Sequence, residues 1–202
     1  MLTVVPRVSG DHLAARRRQV LDAALRCFER DGFHATSVRD VVRESGLSAG
    51  AVYSYFPSKD DLVVAVIEPV LETVTGVLDR VLAEGLRSPV EVVQGVLLGV
   101  WPIATGGGAD YTRIAVTAWG EALRDETVHG IAVRTYGLVR RRLTERVVQW
   151  RDAGHLPPDT DAGALGQVLF SVLVGAVLQH ALLGDVDPDG YAAAAGSLLP
   201  PG

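Results

Sequence analysis

Apolar residues along this chain recur every three or four positions, and no stretch alternates in the way a half-buried strand does. The spacing predicts a first helix over about 12–31, with Leu21, Ala24, Leu25 and Phe28 as its inward stripe, after a loose arm at 1–12. Two short helices follow between Ser37 and Phe56, and then longer ones over about 59–84, 89–105, 111–124, 126–153, 161–184 and 187–199. The expected fold is all-α with about nine helices: an N-terminal three-helix domain over 1–58 and a C-terminal helical domain over 59–202.

The densest punctuation lies between Thr36 and Leu62. Ser37 is placed to N-cap a short helix whose apolar face is Val38, Val41 and Val42. Gly46 stands where that helix must stop, since glycine adopts the left-handed backbone without steric cost. Ser48 caps a second helix carrying Val52 and Phe56 on one side, Pro57 ends it, and Ser58 with Asp61 forms a capping box for the next. Helix, glycine turn, helix is the helix-turn-helix pattern.

On the second of these helices, a rotation of about 100° per residue directs Gly50 and Ser54 away from the core, with Tyr53 and Tyr55 at the flanks. A small, uncharged outer face of this kind can sink into a DNA major groove while tyrosines and Lys59 reach phosphates at its borders. The alternative is an ordinary surface turn between two core helices.

Charge bears on that choice. The whole chain carries −5, but residues 1–59 hold nine Arg/Lys against six Asp/Glu, while residues 60–202 hold ten against eighteen, so +3 and −8 sum to the total. A DNA reader needs local rather than global positive charge, and the basic portion coincides with the helix-turn-helix. Arg16, Arg17 and Arg18 fall near the start of the first helix, where the helix dipole disfavours cations, so a DNA phosphate or a solvated basic end are both open readings.

Other signals exclude more than they assign. Cys27 is the only cysteine and reads as core filler, and no intramolecular disulfide is available to it. The five histidines are dispersed, and His34 reads as a surface residue, so no metal, cofactor or catalytic constellation is expected. Gly106-Gly107-Gly108 lacks the following Lys-Ser/Thr of a phosphate loop and reads as a flexible connector. The N-terminus lacks a signal-peptide pattern, and the expected location is the cytoplasm. The stretch 162–184 is long and uncharged enough to span a bilayer, yet Gln167, Ser171, Gln179 and His180 interrupt it and aspartates flank it. It is therefore expected in a protein core or interface, with no membrane involved.

The pieces CFERDGFHATSVRDVV, ESGLSAGAVY and YSYFPSKDDL make residues 17–62 resemble the DNA-binding domain of the TetR family of transcriptional repressors. The resemblance implies DNA contacts at Ser37, Arg39, Ser48, Ala49, Gly50, Tyr53, Ser54, Tyr55 and Lys59, with Arg39 reaching a guanine edge. An Arg39 salt bridge to a neighbouring acid is the competing reading. The resemblance further implies a small-molecule effector held among the middle helices, and a homodimer through the helices at about 161–184 and 187–199. In that dimer Gly166, Gly175 and Ala176 would allow close approach, and two recognition helices would read a near-palindromic double-stranded operator. Trp101, Tyr111, Trp119, Tyr136 and Phe170 are the large residues expected to point inward around a hydrophobic effector, with Arg113 and His180 as polar anchors. Pro69, inside the fourth helix, reads equally as a hinge or a static bend.

The expected function is a ligand-responsive homodimeric repressor. The alternatives are an all-helical enzyme or carrier with a vestigial helix-turn-helix, and a DNA-binding regulator, repressing or activating, that has no effector.

Overall fold

Short polar caps set most of the helix starts. The computed structural model describes residues 10–85, 88–106 and 110–198, and among these residues the chain forms nine helices and no strand. They are α1 (Gly10–Ala35), α2 (Val38–Ser45), α3 (Ala49–Tyr55), α4 (Lys59–Ala83), α5 (Pro89–Thr105), α6 (Tyr111–Ala122), α7 (Glu126–Asp152), α8 (Ala162–Leu183) and α9 (Pro188–Leu198). The fold is all-α, as the periodicity indicates. The N-terminal arm up to residue 9, and Gly107 and Gly108 of the glycine connector, lie outside the described residues.

Ser37 and Asp40 bond reciprocally: the Ser37 hydroxyl accepts from the Asp40 amide at 3.3 Å, and the Asp40 carboxylate accepts from the Ser37 amide at 3.0 Å. Ser58 with Asp61 and Ser88 with Glu91 repeat this box at α4 and α5. Ser48, Asp125 and Asp161 cap α3, α7 and α8 in the simpler way. Each such cap contributes about 1 kcal/mol by satisfying an amide the helix leaves unpaired. Gly46 closes α2 at φ 68°, in the left-handed region.

The chain divides into two compact units, Met1–Ile67 and Glu68–Gly202. The sequence division at 58/59 lies just ahead of α4, whereas this boundary falls inside that helix. In the first unit α1 packs on α2 and α2 on α3, around Val20, Ala24, Phe28, Val41, Val52 and Phe56. The inward stripe of α1 differs from the expected one. Val20, Ala23, Ala24, Cys27 and Phe28 are buried, while Leu21 and Leu25 are only half-buried. The cause is local. The backbone breaks from helix at Gly32 (φ 78°, ψ 168°) and brings Phe33 back onto Phe28, with ring centroids 4.6 Å apart. The Thr36 hydroxyl then donates to the Gly32 and Cys27 carbonyls, which turns the Cys27–Phe28 side of α1 inward.

In the second unit α7 packs on α8, α5 on α8 and α9, and α6 on α7 and α8. Its core holds Leu78, Val92, Val93, Leu143, Val147, Trp150 and Leu169. Three interhelical contacts are close enough to require glycine, one of them Gly196 of α9, whose Cβ would stand 2.7 Å from Val90 of α5. A Cβ on Gly99 would stand 2.6 Å from Val77 of α4, and one on Gly166 would stand 2.4 Å from Thr144 of α7. One turn before Gly99, Val81 fills the space beside Gly95 in the same way.

Gly166 therefore serves a contact within the chain, and so do its companions: Ala176 is fully buried, and Gly175 faces the Tyr191 hydroxyl. The small residues assigned to a dimer interface pack α8 against its own neighbours instead. Small side chains let helices approach, but the sequence does not say which helix approaches. α8 also exposes Val168, Leu178, Leu182 and Leu183. α8 is the one helix among the described residues long and apolar enough to cross a membrane, by length and composition alone.

Candidate nucleic-acid interface and apolar cavity

The outer face of α3 is built from what its sequence omits. Ala49, Gly50, Tyr53 and Ser54 are exposed together, at i, i+1, i+4 and i+5, while Val52 anchors the helix in the core. Nothing lies within 4 Å of where a Gly50 Cβ would be, so that face is open. Tyr53 is 46% exposed and Tyr55 half-buried, in keeping with their flanking positions. The hydroxyls already have local partners: Ser48 caps Ala51, Ser54 donates to the Ala51 carbonyl at 2.7 Å, and Ser37 is engaged with Asp40.

The cations of this unit separate into tied and available groups. Arg26 pairs with Glu44 at 2.7 Å, Arg30 with Asp31 at 2.9 Å and with Glu44 at 3.6 Å, and Arg43 with Asp40 at 2.6 Å. Hydrogen bonds from the Ser37 hydroxyl and amide, then the Arg43 guanidinium, hold the Asp40 carboxyl below the usual range. Arg26 does the same for Glu44. Arg39 is exposed and has no ion-pair partner among the described residues, so the salt bridge weighed against its base contact is not formed. Lys59, the first residue of α4, donates to the His34 carbonyl at 3.1 Å. Arg17 lies over the Phe56 ring at 5.0 Å, a cation–π contact the sequence reading lacked. α1 begins at Gly10, so Arg16, Arg17 and Arg18 sit beyond its first turn rather than at its electropositive end.

The second unit holds a partly open apolar cavity of about 130 Å³. Trp101, Tyr111, Trp119, Tyr136 and Phe170 line it, and α4 adds Val70, Leu71 and Val74. The Trp119 indole N–H donates to the Tyr136 hydroxyl at 2.6 Å, and Tyr136 packs on Phe170 with centroids 5.4 Å apart. Burial pushes the Tyr136 phenol above its ordinary value, and the bond from Trp119 partly offsets this. The walls therefore carry almost no free polar group.

Arg113 is not part of this cavity. It is exposed on α6, whose Tyr111, Thr112, Ala115 and Trp119 form the cavity side. His180 does not line the cavity either. It stands edge-on behind Trp101 at 4.8 Å, and its buried Nδ1 has no hydrogen-bond partner among the described residues. The aliphatic wall from α4 escaped the sequence reading, although its spacing at 70, 71, 74 and 78 carries the signal.

A helix-turn-helix unit with an open, small-residue recognition helix, together with a helical unit built around an apolar cavity, defines the class of one-chain transcriptional regulators. Residues 20–66 match the model of bacterial regulatory proteins, tetR family, and residues 89–200, more than half the chain, match that of the BetI-type transcriptional repressor C-terminal region. The chain belongs to the TetR family of transcriptional regulators, with a helix-turn-helix DNA-binding domain, and its relatives are regulators rather than enzymes.

Over 82 residues it is 44% identical to the HTH-type transcriptional repressor Rv1474c of Mycobacterium tuberculosis, an alignment spanning 41% of this chain but only 42% of that protein. It is 27% identical over 197 residues to the HTH-type regulator YfiR of Bacillus subtilis, covering 89% of this chain and 86% of the relative. A SmeT–triclosan complex shares the fold with a TM-score of 0.72 at 20% identity, over 91% of this chain and 89% of that one.

Proposed function

We propose that this protein is a homodimeric repressor that binds a near-palindromic operator inside the cell and releases it when a small apolar effector enters the cavity. The observation that carries this reading is the cavity itself, walled by five aromatic side chains, of which Trp119 and Tyr136 bond to each other. The triclosan held by the SmeT relative is a small apolar molecule of the kind that such walls suit.

In this reading residues 1–58 read DNA and residues 59–202 bind effector and dimerise. Arg39 contacts a guanine edge, Ala49, Gly50 and Ser54 enter the groove, and Ser37, Ser48, Tyr53, Tyr55 and Lys59 contact the backbone. The dimer forms through α8 and α9, whose exposed Val168, Leu182, Leu183 and Leu198 otherwise face water. Two-fold symmetry then spaces two α3 helices about one DNA turn apart.

The test is fluorescence anisotropy with the DNA upstream of the protein's own gene over a salt series. Tight binding of one dimer per site, falling steeply with salt and relieved by small aromatic compounds, is the expected result. Binding no tighter than to random DNA, together with no enriched sites in a genome-wide pull-down, overturns the reading.

A further inference from the structure

The bond between Trp119 and Tyr136 uses only part of their hydrogen-bonding capacity. The indole N–H is spent, at 2.6 Å, on the phenol oxygen. That oxygen is both acceptor and donor, and its own proton goes to no carbonyl, carboxylate or hydroxyl among the described residues. A phenol holds its proton near the ring plane, on one side of the C–O bond or the other. With the indole N–H occupying one side, the proton takes the second. Accepting one bond also strengthens the bond that the same hydroxyl can donate.

The surroundings leave this proton without a partner. Burial pushes the Tyr136 phenol above its ordinary value, so water does little to satisfy it. Phe170 packs on the ring at 5.4 Å and offers no acceptor. The Thr112 hydroxyl in the same wall is already donated to the Asp110 carboxylate. Tyr111 and Trp101 also line the cavity, but no hydrogen bond from a second side chain fixes their polar atoms among the described residues. A donor pinned in place lowers the ordering cost of a ligand that accepts from it. Among the described residues no Arg, Lys, His, Asp or Glu lines the cavity, so a charged group buried in it would have no counter-ion.

We propose that Tyr136 is the specificity-determining residue of the cavity, and that the effector is a neutral, largely apolar molecule with a carbonyl or ether oxygen that accepts the Tyr136 proton. Trp119 is the positioning residue that aims this proton. The proposal rests on the cavity being the effector site.

Three bicyclic probes of similar shape separate the chemistries: 1-indanone carries an acceptor, indole a donor, and indane neither. Each is titrated by calorimetry into the full chain and its Tyr136→Phe and Tyr111→Phe variants, at a temperature where circular dichroism shows them folded. Tyr136→Phe should weaken 1-indanone by roughly fivefold or more, the worth of one hydrogen bond, and leave indane and indole within about twofold. Tyr111→Phe should leave all three unchanged. The infrared carbonyl stretch of bound 1-indanone should lie at lower frequency than in a hydrocarbon solvent, and should return toward the hydrocarbon value in Tyr136→Phe. An unshifted carbonyl in the wild type, a shift that survives Tyr136→Phe or that Tyr111→Phe removes, or an equal loss of all three probes in Tyr136→Phe overturns this inference and leaves the cavity reading intact. Failure of every probe, or indane binding that Ala115→Phe in the cavity wall does not reduce, overturns the cavity reading and this inference with it.

Discussion

Trp119 and Tyr136 are joined by a 2.6 Å hydrogen bond that ties α6 to α7 in the wall of the apolar cavity. Each ring contributes surface to the cavity, and the bond takes up the indole N–H, leaving the Tyr136 hydroxyl its own proton to donate.

Tyr136→Phe should keep the ring and remove the acceptor. The half-buried indole N–H of Trp119 then lacks its partner, which costs about 1–3 kcal/mol. Urea denaturation should show a lower midpoint with an unchanged slope, and a loss below about 0.5 kcal/mol would mean that the bond is not structural.

The same phenol predicts an alkaline limit. Its folded value is raised, chiefly by burial, so the folded state holds the proton more tightly than the unfolded chain does. The stability this provides is complete below the ordinary phenol value of about 10 and is lost as pH rises through the raised one. Thermal midpoints between pH 8 and 11 should fall at the alkaline end, and Tyr136→Phe should flatten that fall. A remainder is expected from Tyr191, which burial also raises and whose hydroxyl donates to the Val172 carbonyl.

At the acid end the sign reverses. Asp40 is held low first by Ser37, and Glu44 first by Arg26, so their contribution is present above the ordinary carboxylate values of about 4 and is lost as pH falls through the depressed ones. Ser37→Ala should return the Asp40 value toward normal in an NMR titration, and an unmoved value would remove the capping box as its cause.

Arg39→Ala should weaken binding to the operator by roughly tenfold or more while leaving the thermal midpoint within error, because Arg39 is exposed and has no ion-pair partner among the described residues. Its neighbour Arg43, paired with Asp40, serves as the contrast. If Arg43→Ala impaired discrimination among operators more than Arg39→Ala, the assignment of the base contact would be wrong.

Gly99→Ala and Gly166→Ala should both destabilise, by about 1–3 kcal/mol for overpacking. Gly166→Ala is the more severe, since its new methyl meets backbone atoms of Thr144 at 3.2 Å, whereas Gly99→Ala meets only the Val77 side chain. Equal midpoints for wild type and Gly166→Ala would show that α7 and α8 are further apart than described.

Helix starts were legible because a cap is a local device: Ser37, Ser48 and Ser58 need only their next three residues to act. The five cavity aromatics were legible as large residues on inward faces. What escaped depended on how segments fold back and which helix face meets a neighbour. Leu21 and Leu25 gave way to Val20 and Cys27 because Gly32 folds Phe33 back, and Arg113 fell on the open face of α6. Gly166 could be recognised as a close-approach residue but not matched to Thr144. The outer face of α3 follows from rotation along one short helix, so its open Gly50 could be placed from the sequence.

Val77 and Val81 occupy, on α5, the two places that Cβ atoms of Gly99 and Gly95 would take. The gaps lie four residues apart, about 6 Å along the helix. A helix whose knobs sit in such gaps does not creep: a small displacement drives the valines into the α5 backbone, and the next comfortable position is a full turn away. This part of α4 works as a detent, holding one register against gradual load and giving way, if at all, in a single step.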